Sequence, residues 1–365
     1  MRGIVTGGDD EKLVMNSNDA ASDHDRLELT PTGFKLTDGD GNLNGSNDKI
    51  VYIAIRRPDP LVGKPPAAGV NAFAMDVGNS QSIVPNFNSS FPDALGYYRE
   101  FTTTHDWYTG GRLAGATYWR TDASNAASAM TGMDYDTNVG WTRSSGGSAL
   151  QAWMWKRGPG FDLVTYTGGG SGDIIPHNLN AVPEMIWVKS TSATEPWAVY
   201  HYGANGGTTP WNYYGKLNMS SSFSSSPNMW NQTAPTSTVF TVIADNMVNG
   251  SPKTYVAMLF TSVTGISKVG YYTGSGSSNT QTITTGFQPR FVIIKDYTGG
   301  SNPWYVLDTA RGWGSGNDDI LQLNDTAAAL TGNDWGEPTA TGFTVTGGGI
   351  NLNSSSNKYI YYAHA

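Results

Sequence analysis

Apolar residues along this chain fall into short runs rich in Val, Ile, Tyr, Trp and Phe, separated by clusters of Gly, Ser, Asn and Asp. "FTVI" (Phe240–Ile243) alternates apolar and polar positions, while "YVAMLF" (Tyr255–Phe260) is nearly continuous. Both are patterns of strands around a two-sided core. Breaks such as "TGGG" (Thr167–Gly170), "GGGINLNSSSN" (Gly347–Asn357) and "GDGNLNGSND" (Gly39–Asp48) hold the residue types that tolerate positive φ in turns. No amphipathic helix of ordinary length is predicted, and a helical turn is expected only at Asp325–Leu330. Roughly six to eight strands per hundred residues favours a β-sandwich of jelly-roll or immunoglobulin-like form.

The runs repeat. "VPEMIWVKS" (Val182–Ser190) returns as "QPRFVIIKD" (Gln288–Asp296), and "EPWAVYHYG" as "NPWYVLDTARG", placing Trp197 beside Trp304. "KLNMS" pairs with "LQLNDTAA", "APTSTVFTV" with "EPTATGFTV", and "KTYVAMLF" with "KYIYYAHA". Each copy opens alike, with "DLVTYTGGGSG" from Asp162 and "SKVGYYTGSGS" from Ser267. Landmarks in one order at one spacing, roughly a hundred residues, define tandem units. A diverged copy precedes them: "FPDALGYYRE" (Phe91–Glu100), then Trp107, then "ALQAWMWKR" (Ala149–Arg157), with Pro92 aligned to Pro183. "RGIVTGGDDEKLVMNSNDAA" (Arg2–Ala21) matches "RGWGSGNDDILQLNDTAAA" (Arg311–Ala329), so the N-terminus reads as the back half of a unit.

The expected organisation is a partial β unit over 1–57, a diverged sandwich repeat over 68–157, and repeats over 161–262 and 266–365. Short linkers predict beads on a stiff string. A half unit leaves strand edges open. Residues 1–57 are therefore expected to be covered by a neighbouring chain, by another unit of this chain or by a preceding segment. The tryptophan of each unit is expected in a core or between units.

Composition agrees with an all-β chain: of 365 residues 45 are Gly, aromatics make up 12% and charged residues only 14%. A net charge of −8 argues against a nucleic-acid partner, since phosphate requires a basic footprint. There is no cysteine, hence no disulfide framework. No apolar run reaches transmembrane length, so membrane insertion is not expected.

At "YIAIRRPDP", "WMWKRGPGFDLVTYTGGG", "IPHNLNAVPEMIWVK", "APTSTVFTV", "ISKVGYYTG" and "PRFVIIKDY" the sequence resembles a family of tandem-repeat proteins of marine and freshwater tailed bacteriophages, described as virion structural or tail-fibre-like. The resemblance is densest from Trp153 to Ala365. It implies a self-assembling virion structural protein, located in the virion or outside cells, with copies of itself as partners. It carries no catalytic residue. A subunit of a helical extracellular filament or surface layer, and a carbohydrate-binding module contacting cell-surface glycan, are the alternatives.

Candidate chemistry is sparse. The Gly-rich "GSGSSN" and "GGGSGD" open no helix and lack the Lys of a phosphate loop. No nucleophile elbow or zinc-protease motif occurs, and His24, His105, His177, His201 and His364 lack metal spacing. Asp38, Asp40 and Asn42 alternate oxygens as a calcium loop does, but Leu43 stands where its glycine belongs and no Glu closes it, so a solvated hairpin turn is expected. A polysaccharide-cleaving site needs two facing carboxylates, which repeated units do not single out. Neither enzyme, metal nor cofactor is expected. The ligand or interface candidates are Trp211, Tyr213 and Tyr214 in "TPWNYYGK", expected on a loop, where aromatic rings can stack on sugars or meet a neighbouring subunit.

Overall fold

The computed structural model describes residues 10–12, 22–24, 27–30, 33–36, 72–78, 87–115, 117–129, 132–135, 137–142, 150–347 and 350–365. The linker at 56–69 and the candidate calcium turn at 38–48 lie outside them. The chain divides into two compact units, Met1–Asp59 and Pro60–Ala365. Among the described residues the protein is all-β, without an α-helix.

Within 1–59 two hairpins are described: Asp10–Lys12 with Ser22–His24, and Leu27–Thr30 with Gly33–Leu36. The second closes on Thr30 opposite Gly33, as Thr339 lies opposite Gly342 in the C-terminal repeat.

From residue 72 onward, three six-stranded antiparallel sheets follow one plan. The first runs Ser128–Ala129, Thr117–Arg120, Tyr108–Gly110, Leu95–Glu100, Leu150–Trp155, Phe73–Asp76. The second runs Phe161–Thr167, Thr254–Phe260, Met185–Ser190, Ala198–His201, Tyr213–Lys216, Ser224–Ser225. The third runs Ser267–Thr273, Lys358–His364, Phe291–Asp296, Trp304–Asp308, Asp318–Gln322, Leu330–Asn333. Against each lies a small sheet: Phe87–Asn88 with Gly140–Trp141, Asp173–Pro176 with Val239–Val242, and Gln281–Thr284 with Gly342–Val345 and Pro338–Thr339.

The central strands explain why their apolar runs are continuous. In Met185–Ser190, Ile186 and Val188 face a core shared with Phe240 and Val242 of the small sheet. Met185 and Trp187 face the other way, as do Leu95 and Tyr97 in the first sheet and Phe291 and Ile293 in the third. These six meet Trp153, Trp155, Met258, Phe260, Ile360 and Tyr362 in one core common to all three units. Each unit is thus a sandwich whose large sheet is buried on both faces, once locally and once against its sisters. Beads on a string are therefore not what forms: the shared core draws 72–365 into one body, because the inner faces are as apolar as the outer ones.

Two details depart from the sequence reading. Leu95, Met185 and Phe291 occupy equivalent places opposite Trp155, Phe260 and His364. That register puts Asp93, not Pro92, at the position of Pro183 and Pro289. The helical turn expected at Asp325–Leu330 does not form either. Its carbonyls point outward to a neighbouring unit instead of along a helix.

Residue sizes trade within this plan. Trp119, Gly215 and Leu321 are equivalent inward positions, and Ala127, Phe223 and Ala329 are the equivalent partners packed on the common core. A Cβ on Gly215 would overlap the Phe223 ring, so the one glycine is matched by the one large partner. Volume is conserved while its source changes strand.

Candidate functional site: the seams between units

Three seams join the units, and each uses the same atoms. Trp197 Nε1 of the second unit donates to Arg120 O of the first at 2.8 Å. Trp304 Nε1 of the third donates to Lys216 O of the second at 3.0 Å. Trp107 Nε1 of the first donates to Gln322 O of the third at 2.8 Å. The circuit is closed. A backbone bond repeats the cycle: Ala127 N–H to Thr191 O at 2.8 Å, Phe223 N–H to Tyr297 O at 3.0 Å, and Ala329 N–H to Phe101 O at 2.9 Å.

Beside each tryptophan a cation is buried at the same strand position, two residues beyond the inward Tyr97, Trp187 or Ile293. Lys189 Nζ donates to Ser124 O at 3.2 Å, and Lys295 Nζ to Ser220 O at 2.6 Å, each on the preceding unit. Arg99 reaches Asp325 O, Thr326 O and Ala327 O at 3.1, 3.0 and 2.8 Å. Burial lowers the lysines to about 8 and Arg99 to about 10. All three remain protonated at neutral pH and donate charge-assisted bonds to backbone carbonyls of the neighbouring unit. Arg99 also lies over the Trp107 ring at 5.1 Å, and Lys295 over Trp304 at 5.9 Å. Asn218 and Asn324 cap the two linked seams, accepting from Trp197 and Trp304 N–H and donating to Ser124 and Ser220 hydroxyls.

The seam between third and first units carries extra bonds. Trp153 Nε1 donates to Asp308 Oδ2 at 3.0 Å, and Asp308 pairs with Arg311 at 2.6 Å, both fully buried. The Arg311 guanidinium stacks over Trp153 at 5.4 Å. Trp155 Nε1 donates to Tyr362 OH at 3.2 Å, Thr121 Oγ1 to Leu323 O at 2.8 Å, and Arg290 to Phe73 O at 3.0 Å. Short linkers hold the other two seams together. This one joins parts remote in sequence and relies on its own contacts.

Two histidines mark the seams of the third unit. His201 accepts from Gly203 N–H at Nδ1, and its Nε2 faces Tyr361 O. His364 packs against the Phe73 ring at 4.8 Å, with its Nδ1 on Ala365 O. Burial drives both down to about 3, so both are neutral at pH 7.

Trp211, Tyr213 and Tyr214 do not stand on a free loop. Pro210–Asn212 is a 3₁₀ turn and Tyr213–Lys216 a strand paired with Ser224–Ser225. Trp211 and Tyr214 are half-buried against the outer core of the second unit, and Tyr213 O accepts from Trp230 Nε1 at 3.0 Å. Among the described residues the aromatic ring most open to solvent is instead Tyr271, 45% exposed, lying over Gly203 with its ring 5.5 Å from that of Tyr202. Among the described residues no group of three or more His, Asp or Glu is placed to hold a metal, and no helix is long and apolar enough to cross a membrane. Sequence reasoning expected the tryptophans in a core or between units, without choosing, and overlooked the cations. The signal was available: "GYYRE", "IWVKS" and "VIIKD" carry a basic residue at one strand position in every copy.

A body of β-sandwich units closed through matched seams is the class that fold and geometry define. The chain belongs to the family described as Domain of unknown function (DUF7483), which residues 119–365 match. That match runs from Trp119, in the strand Thr117–Arg120 of the first sheet, through both later units. No curated protein and no solved structure matches the chain.

Proposed function

We propose that this protein is a structural subunit of an extracellular assembly, a bacteriophage virion component of tail or fibre type that associates with further copies of itself. One observation carries the reading: the aromatic and cationic side chains that recur in every unit are used to hold the units to one another. The Trp–carbonyl and cation–carbonyl bonds of the three seams account for Trp107, Trp197, Trp304, Arg99, Lys189 and Lys295, residues that a binding or catalytic role would leave facing a ligand. The sequence resemblance to tail-fibre-like repeat proteins supports the same assignment.

Immunogold electron microscopy of particles from the producing source, with antibody against 60–365, tests it. Label on virion tails or fibres is expected. Label on cell-attached filaments or a surface lattice transfers the protein to a cellular assembly. Soluble protein that binds a glycan array and labels no particle overturns the structural assignment.

A further inference from the structure

We propose that the third unit, residues 266–365, is exchangeable between copies of this chain: it can dock on the first and second units of another copy through the same two seams it makes within its own. The inference rests on the self-association part of the reading above.

The seams themselves argue for it. The bonds that close the body, from Arg99 to Asp325, Thr326 and Ala327, from Trp107 to Gln322, and from Trp153 to Asp308, connect residues more than 150 positions apart. None depends on the two sides sharing a chain. The third unit is joined to the second by a short connection, Thr261–Ser267, a turn with Gly265 at φ +72° closed by the Val263–Ser267 bridge. Extended, those residues span roughly 20 Å. By contrast, Pro159 stiffens the connection between first and second units, whose tight turn is closed by Gly158 and Phe161.

Partner choice is also encoded. The equivalent positions Gly111, His201 and Asp308 differ at the three seams, and only Asp308 with Arg311 meets Trp153. A third unit therefore fits between a first and a second unit, not against another third unit, and exchange preserves every native seam. Intramolecular closure prevails while the chain concentration stays below the effective concentration set by the connection, on the order of millimolar. Local concentration within an array can reach that range, where exchange gives reciprocal dimers or open-ended chains.

The absence of cysteine allows a direct test in the full chain. His105 and Thr326 are bonded across the closing seam at 2.9 Å, and Ala127 and Thr191 across the seam of first and second units at 2.8 Å. All four are partly exposed. Two double variants, H105C/T326C and A127C/T191C, are each refolded from denaturant as equal mixtures of heavy- and light-isotope protein, at micromolar and near-millimolar concentration. Each is then treated with a short bis-maleimide. Dilute refolding should give intrachain links in both. Concentrated refolding should give mixed-isotope links at 105–326, increased at least tenfold, while 127–191 stays intrachain. Intrachain links at 105–326 at every concentration overturn the proposal. So does interchain linkage of both pairs together, which indicates exchange of another part or indiscriminate association. Neither result bears on whether virions contain the protein, which immunogold decides separately.

Discussion

The exchange of volume between Gly215 and Phe223 can be measured as a double-mutant cycle. In the third unit the same two places hold Leu321 and Ala329, and the side chains of Phe223, Leu321 and Ala329 all border the common core. Phe223→Ala removes a half-buried ring that lies 5.7 Å from Tyr297 and 6.3 Å from Trp304. Truncating a fully buried Phe costs about 3–5 kcal/mol, so about 2–3 kcal/mol is expected at this half-exposed site. Gly215→Leu drives a side chain into the Phe223 ring, an overpacking of about 1–3 kcal/mol. The double variant G215L/F223A rebuilds the pairing already present in the third unit, and its loss should stay near 1 kcal/mol. The coupling between the sites is then about 3 kcal/mol. Urea denaturation read by tryptophan fluorescence, with 12 tryptophans in the chain, supplies the free energies. A double variant as unstable as the sum of the singles would refute the equivalence of these positions.

Three further outcomes follow from the seams. Replacing Trp107, Trp197 or Trp304 singly by Phe shrinks a fully buried indole to a phenyl ring and removes its N–H donor, so each should cost about 2–4 kcal/mol, with similar values by calorimetry. Arg99→Met removes the guanidinium from three carbonyls of the closing seam; Asp325 O keeps Trp107 Nε1 and Thr326 O keeps the His105 N–H, while Ala327 O loses its donor. This substitution should cost about 3 kcal/mol and raise hydrogen exchange at 325–329 while sparing 220–223. His201 and His364 are held neutral near 3, against about 6.5 when unfolded, so below pH 6.5 the unfolded chain binds more protons. Stability at these two sites is complete above pH 6.5 and falls as pH drops toward 3, by up to about 4 kcal/mol per histidine. In urea titrations across that window, H201N and H364N should flatten the dependence.

Much of this architecture is written in local pattern. Alternation, turn composition and the recurrence of "IWVKS" and "VIIKD" are short-range properties, so the strands and the all-β class could be read directly, and each tryptophan narrowed to a core or a seam. Closure could not. A continuous apolar strand reveals that both faces are buried but not by what. The partner of Trp107 lies 215 residues away on a backbone carbonyl, which carries no side-chain signature. The same limit explains Trp211, Tyr213 and Tyr214. Their Gly and Pro neighbours suggest a loop, while pairing with Ser224–Ser225, residues of weak strand preference, draws the tyrosines into the sheet edge.

Phe73, at the start of the first sheet, and His364, at the end of the last, touch ring to ring. Entry and exit therefore sit at one pole. Such a body can be spliced into a longer polypeptide as a side lobe without prising the flanking segments apart. Its order can also be circularly permuted, by bridging Ala365 to Ala72 and cutting at Gly158, with every interface retained. A tug on the two ends would load the closing contact first, where Phe73 meets His364 and Arg290.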